Sequence, residues 1–175
     1  ASPRIVMNSF YWKPPVKPAR EEDLLSSLLS EKVGGDKYPG DFTPSGNWPN
    51  VAPGKWGPIN ASSPKHVGDT VKRFLAASPK PPVLWMRGDS DQIVADNSLF
   101  DFGTLGQLGF VPGWPGAEVY PPQPMLGQTR KVLDQYAANG GQYAEKVIAE
   151  TGHTPYVEKP EEFNALLAGH LKSAS

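Results

Sequence analysis

Apolar residues along this 175-residue chain recur in short bursts whose spacings differ from one stretch to the next. Across residues 19–33, Leu24, Leu25, Leu28 and Leu29 share one face, Glu21, Glu22 and Asp23 occupy the first turn, and Gly34-Gly35 follow. These start and stop signals predict an amphipathic helix. A second helix is predicted from a Ser63 cap and Pro64 at the first helical position, because Val67, Val71, Phe74 and Leu75 then align at i, i+4, i+7 and i+8. A third spans 124–138, with Met125, Thr129, Val132, Leu133 and Tyr136 on one stripe and Gly140-Gly141 at its end. The last begins at Pro160, with Glu161 and Glu162 complementing the helix dipole and Phe163, Leu166, Leu167 and Leu171 facing one side.

Residues 83–86 are too few for a helix and lie between Pro81-Pro82 and Gly88, which predicts a short buried strand of parallel type. Residues 143–149 are strand-like as well, and Arg4-Ile5-Val6-Met7 is a short β-like run ahead of the break at Lys13-Pro14-Pro15. Strand, helix, strand and helix over the last ninety or so residues predict parallel pairing through right-handed crossovers. Two stretches have no period. Residues 36–60, dense in Pro and Gly around Tyr38, Phe42, Trp48 and Trp56, read as irregular but packed. Residues 99–123, with Phe100, Phe102, Phe110, Trp114 and Tyr120, form a connection long enough to suggest a role in a binding site.

Composition narrows the function classes. Lys and Arg number 17 against 18 Asp and Glu, scattered along the chain, so no basic stripe favours nucleic acid as a partner. No run of about 18 apolar residues could cross a bilayer, and Ala1-Ser2-Pro3-Arg4 lacks the apolar core of a signal peptide; the compartment stays open. With no cysteine there is no thiolate nucleophile and no cysteine metal site, and no His-x-x-x-His spacing replaces one. No metal and no cofactor are expected. The glycines from Gly103 to Gly109 lack both the dinucleotide and the phosphate-loop spacing.

Candidate chemistry lies where the two strands of the C-terminal part end. One runs into Gly88-Asp89-Ser90-Asp91-Gln92-Ile93-Val94, the other into Glu150-Thr151-Gly152-His153-Thr154-Pro155. A histidine acting as general base needs a partner on its other ring nitrogen, which fixes the tautomer and stabilises the imidazolium. Taken alone, an aspartate in such a turn more often bonds the turn's own amides. His66 on the polar side of the second helix and His170 near the core edge of the last one have no comparable setting.

In residues and order, this pattern resembles the C-terminal half of the α/β-hydrolase family. The resemblance implies an α/β fold class, the C-terminal part of an α/β-hydrolase fold in which parallel sheet strands alternate with helices beneath a helical, Pro/Gly-rich lid. Residues 1–12 would be a core strand leading to the lid, 13–79 the lid, and 80–175 the C-terminal half of the core. It implies His153 as catalytic base and Asp91, placed just before Gln92-Ile93-Val94, as its acid, with Asp89 as the fallback. The family's G-x-S-x-G elbow is absent, so the nucleophile is expected in an N-terminal half ahead of Ala1, linked or cleaved.

The function so implied is hydrolysis of a small, fairly apolar ester or similar acyl substrate by a Ser-His-Asp triad. The alternatives are an aspartate nucleophile, as in epoxide hydrolases and dehalogenases, or a non-catalytic binding protein of the same fold. Tyr11, Trp12, Tyr38, Trp48 and Trp114 are candidates to line an aromatic substrate site, with plain packing of lid on core an equal explanation for each.

Overall fold

Pro3 opens a helix, not a strand. In the computed structural model, which describes residues 2–173, Ser2 caps α1 (Pro3–Phe10) by accepting the Ile5 amide through its hydroxyl, with Pro3 at the first turn. A Ser-Pro cap pair thus overrides the short apolar run Ile5-Val6-Met7, which is too brief for its spacing to separate helix from strand. Arg4 reaches Glu21 and Glu22 at the start of α2 (Glu21–Leu29), and Met7, Trp12 and Leu25 close into a small buried cluster between the two helices. The helix predicted over 19–33 is shorter at both ends, and Leu29 on its expected apolar face is exposed.

The segment expected to be irregular holds short pairings. β1 (Val33–Gly34) lies parallel to β2 (Tyr38–Pro39), and β3 (Phe42–Pro44) pairs antiparallel with β4 (Val51–Pro53). Its aromatics are not uniformly packed: Trp48 is half-buried, whereas Tyr38, Phe42 and Trp56 are exposed. Asp41 accepts the Trp56 amide, and the Asn60 side chain donates to the carbonyls of Asp41 and Trp56, which ties this region to α3 (Pro58–Ala61).

The helix predicted from Ser63 is two pieces, α4 (Pro64–Val67) and α5 (Thr70–Ala76), interrupted at Gly68-Asp69. Glycine disfavours a helix interior by about 1 kcal/mol, and the exposed face of α4 offers no packing to offset that cost. Ser63 stands at the cap position, yet its hydroxyl makes no capping bond.

β5 (Val83–Gly88) is followed by α6 (Phe102–Gln107), α7 (Met125–Ala138), β6 (Tyr143–Ile148), α8 (Pro155–Glu158) and α9 (Pro160–Ser173). β5 and β6 run parallel in the register Val83↔Tyr143 to Gly88↔Ile148, with α7 in the connection and α9 against both strands. Tyr136 of α7 is fully buried, stacks on Phe74 of α5 at 4.5 Å, and donates its hydroxyl to the Pro81 carbonyl at 2.6 Å. Gly141 is required beneath it, because a Cβ there would overlap the Tyr136 ring. In the long connection, Asp101 accepts the Thr104 amide at 2.8 Å and the Gln123 amide at 3.2 Å, so one buried carboxylate caps α6 and closes the loop.

This architecture corrects the expected fold class. The described residues form a mixed α/β structure with three two-stranded sheets, and no extended parallel sheet of the α/β-hydrolase kind is present. The physical reason is a shortage of strands. Extending the β5–β6 sheet needs a crossover for each added parallel strand, and among the described residues β5–α7–β6 alone supplies one, since the run at Arg4–Met7 that was to add another strand is helical. No helix among the described residues is long and apolar enough to cross a membrane.

Candidate acid–histidine site

Both ends of the β5–β6 pair that finish at Gly88 and Ile148 are aligned by register, so the loops that follow them emerge side by side. Gly88 makes this closeness possible: a Cβ there would overlap the carbonyl oxygens of Thr151 and Gly152. Across the gap the Ser90 amide donates to the Thr151 carbonyl at 2.9 Å, and the Thr151 hydroxyl, fully buried, turns back to the Ile148 carbonyl at 2.8 Å.

Asp91 and His153 meet across these loops. His153 Nδ1 lies 3.0 Å from Asp91 Oδ2, while Asp91 Oδ1 accepts the amides of Ile93 at 2.7 Å and Val94 at 3.0 Å. The two readings weighed for this aspartate therefore hold together, one carboxylate oxygen for the turn and the other for the imidazole. The Asp91 side chain is 8% exposed and that of His153 36%, so the carboxylate is screened while the ring keeps an open edge. Among the described residues no hydrogen bond engages Nε2 of His153. Asp89, the fallback acid, instead accepts the Ser90 hydroxyl at 2.8 Å.

The electrostatics follow from this geometry. Burial pushes the Asp91 carboxyl up, but the bonds from His153, Val94 and Ile93 outweigh it and hold it below its usual value. The hydrogen bond to Asp91 raises His153 above the usual 6.5, against a smaller opposing effect of burial. With Nδ1–H donated to the carboxylate, the Nε2 lone pair is the one left to take a proton.

A second carboxylate, which sequence reasoning missed, fixes the histidine loop. Glu158 accepts the Gly152 amide at 2.8 Å through one oxygen and the Lys13 amide at 2.7 Å through the other, bridging the residue before His153 to the chain leaving α1. Thr154 adds its amide at 2.9 Å and its hydroxyl at 2.8 Å to the Tyr11 carbonyl. Gly152 has no room for a side chain against the Trp12–Lys13 backbone. Nothing in the sequence distinguishes Glu158 from the acids that follow it at the start of α9, because its partners are backbone amides 145 and 6 residues away.

The aromatic candidates do not converge on one site. Tyr11 and Trp12 border a cleft of about 460 Å³ between α1, α2 and α8, beside Thr154 and Tyr156. Trp12 is itself buried and donates its ring N–H to Asn8 at 2.9 Å. Trp48 packs on Phe102 and Tyr120 and donates to the Pro112 carbonyl; Trp114 packs over Gly106 and donates to the Tyr120 carbonyl. Tyr38 is exposed in β2. His66 is exposed on α4, and His170 is half-buried on α9, beside Pro82 and Val83. No group of three or more potential metal ligands converges among the described residues.

Comparisons with family models, with curated proteins and with solved structures return no match to this chain.

Proposed function

We propose that the chain supplies the acid–base half of a hydrolase acting on a small, fairly apolar ester or similar acyl substrate. The observation that carries this reading is the 3.0 Å contact between Asp91 Oδ2 and His153 Nδ1, with Nε2 unengaged among the described residues. Asp91 orients the ring, and His153 Nε2 takes the proton of a serine hydroxyl as its oxygen attacks the substrate carbonyl. When the tetrahedral intermediate collapses, Nε2 returns that proton to the departing alkoxide. Water then hydrolyses the acyl-enzyme by the same route, with His153 again acting first as base and then as acid.

The nucleophile of this scheme belongs to polypeptide beyond the 175 residues, an N-terminal half linked or cleaved. One feature supports a partner of this kind. The outer edges of the β5–β6 pair carry no further strand among the described residues, and parallel strands are normally covered on both faces and flanked by others. The resemblance to the α/β-hydrolase family lends weight to the pair and its order along the chain; the extended sheet expected with it is not there, and the proposal does not rest on it.

The test uses the protein isolated with any chain that copurifies. It should hydrolyse p-nitrophenyl butyrate and take up a fluorophosphonate label, and His153→Ala should lower kcat by about 10³-fold or more, as loss of a triad base does. An unchanged rate in His153→Ala would sink the reading. Failure to label, with turnover of an epoxide or a haloalkane, would move the nucleophile from serine to aspartate.

A further inference from the structure

Ser98 is fully buried in the loop that follows Asp91. Its hydroxyl donates to the Ile93 carbonyl at 2.6 Å and accepts the Phe100 amide at 3.0 Å. Beside it, the Leu99 amide donates to the Gln92 carbonyl at 3.0 Å. No helix or strand lies between β5 and α6, so bonds of this kind, and not a ladder, give the loop its shape.

The carbonyls held in this way share peptide planes with the amides that hold the acid. A trans peptide group is planar and points its C=O and N–H in opposite directions. The Gln92 carbonyl is coplanar with the Ile93 amide, and the Ile93 carbonyl with the Val94 amide. Both amides donate to Asp91 Oδ1, at 2.7 and 3.0 Å. Leu99 and Ser98 thus grip, from the far side, the two planes aimed at the carboxylate. With Oδ1 committed to them, Oδ2 is the oxygen that faces His153 Nδ1 at 3.0 Å. The loop is attached to the body of the protein elsewhere, because Asp96 Oδ1 accepts the amides of Leu126 at 2.8 Å and Gly127 at 3.1 Å at the start of α7. That anchor sets where the loop lies; the tilt of the two planes is left to Ser98 and Leu99.

We propose that Ser98 is the positioning residue of the acid: through the peptide group between Ile93 and Val94, its hydroxyl keeps the Asp91 carboxylate within bonding distance of His153. Only the effect on turnover rests on the hydrolase reading; the effect on the pair does not.

The test follows the His153 titration by NMR in the protein isolated with any chain that copurifies. Ser98→Ala strips the Ile93 carbonyl and the Phe100 amide of their partner, so the His153 midpoint should fall toward its usual value, by roughly half or more of the fall that Asp91→Asn produces. Ser98→Cys, whose thiol is a weak donor and acceptor, should give a smaller fall. Tyr136→Phe, which removes a different hydrogen bond and leaves the loop after Asp91 intact, should leave the midpoint in place, because lost stability alone does not loosen the bond to Asp91. With p-nitrophenyl butyrate, Ser98→Ala should lower kcat about 10- to 100-fold and change KM by less than about twofold. A midpoint in Ser98→Ala equal to that of the unmodified protein would overturn the proposal, as would an equal fall in Tyr136→Phe. So would an unchanged kcat in Ser98→Ala where His153→Ala is inactive. If Ser98→Ala does not fold, Ser98→Cys decides: a lowered midpoint supports the role and an unmoved one overturns it. A full rate in His153→Ala would remove the hydrolase reading and leave the titration to decide the placement of Asp91.

Discussion

Glu158 accepts the amide of Gly152 at 2.8 Å, one residue before the imidazole that faces Asp91. Because its other oxygen holds the Lys13 amide at 2.7 Å, this single carboxylate locks the histidine loop to the chain that leaves α1. Position at the site thus depends on a residue that contacts neither member of the acid–histidine pair.

Removing that carboxylate should loosen the loop without touching the pair. In Glu158→Ala, hydrogen exchange at the Gly152 and Lys13 amides should accelerate by about tenfold or more, since each loses a charge-assisted bond, and Glu158→Gln should fall between. Unchanged exchange at both amides would show that Thr154 and the β5–β6 register suffice to hold the loop.

The pair should also set how stability varies with pH. His153 titrates above its usual 6.5 in the folded protein, so its contribution is complete below 6.5 and is lost as pH rises through the raised value. Asp91 titrates below its usual 3.8, so its contribution is present above 3.8 and is lost as pH falls through the lowered value. Both are in place between about 4 and 6.5. Denaturant midpoints measured across that window should decline on either side of it, and Asp91→Asn should flatten the alkaline limb and bring the His153 midpoint down in an NMR titration. A His153 midpoint unmoved by Asp91→Asn would contradict the assignment of its shift to that hydrogen bond.

Gly88 should resist even the smallest side chain. A Cβ at that position runs into the carbonyls of Thr151 and Gly152, so Gly88→Ala is expected to destabilise the protein by about 1–3 kcal/mol, the usual cost of overpacking. Gly46→Ala, where a Cβ meets nothing within 4 Å, is the control and should be close to neutral in the same urea titration.

Tyr136 anchors α7 beneath the strands by two separable contacts, a stacked ring and a hydroxyl. Tyr136→Phe keeps the stack on Phe74 and strands the Pro81 carbonyl, for a loss of about 1–3 kcal/mol. Tyr136→Ala opens a cavity as well and should lose about 3–5 kcal/mol. Equal losses in the two variants, measured by thermal or urea unfolding, would mean that the stacked ring contributes nothing.

Legibility along the chain followed the length and spacing of each signal. α7 and β6 lie within a residue or so of the segments their patterns predict, because fourteen helical residues with one apolar stripe, or a β run fenced by glycines, leave little alternative. The split at Gly68-Asp69 and the helix at Pro3 were missed where a local breaker or cap competed with a short apolar run. α6 was hidden because Asp101 caps it while also bonding Gln123, a contact made only when the loop closes on itself.

The sequence by itself determined which residues could be the acid and the base, since imidazole and carboxylate chemistry is a property of the side chains and their turns are marked by Gly, Asp and Pro. It also determined the strand–helix–strand order that carries them. Tertiary structure decided the rest: that Asp91 and not Asp89 faces His153, that Glu158 and Thr154 hold the loop in place, that Trp12, Trp48 and Trp114 are spent on separate packing contacts, and that the β5–β6 sheet holds two strands among the described residues. Each of these depends on the distance between groups far apart along the chain, and local spacing carries no information about a distance that only folding sets.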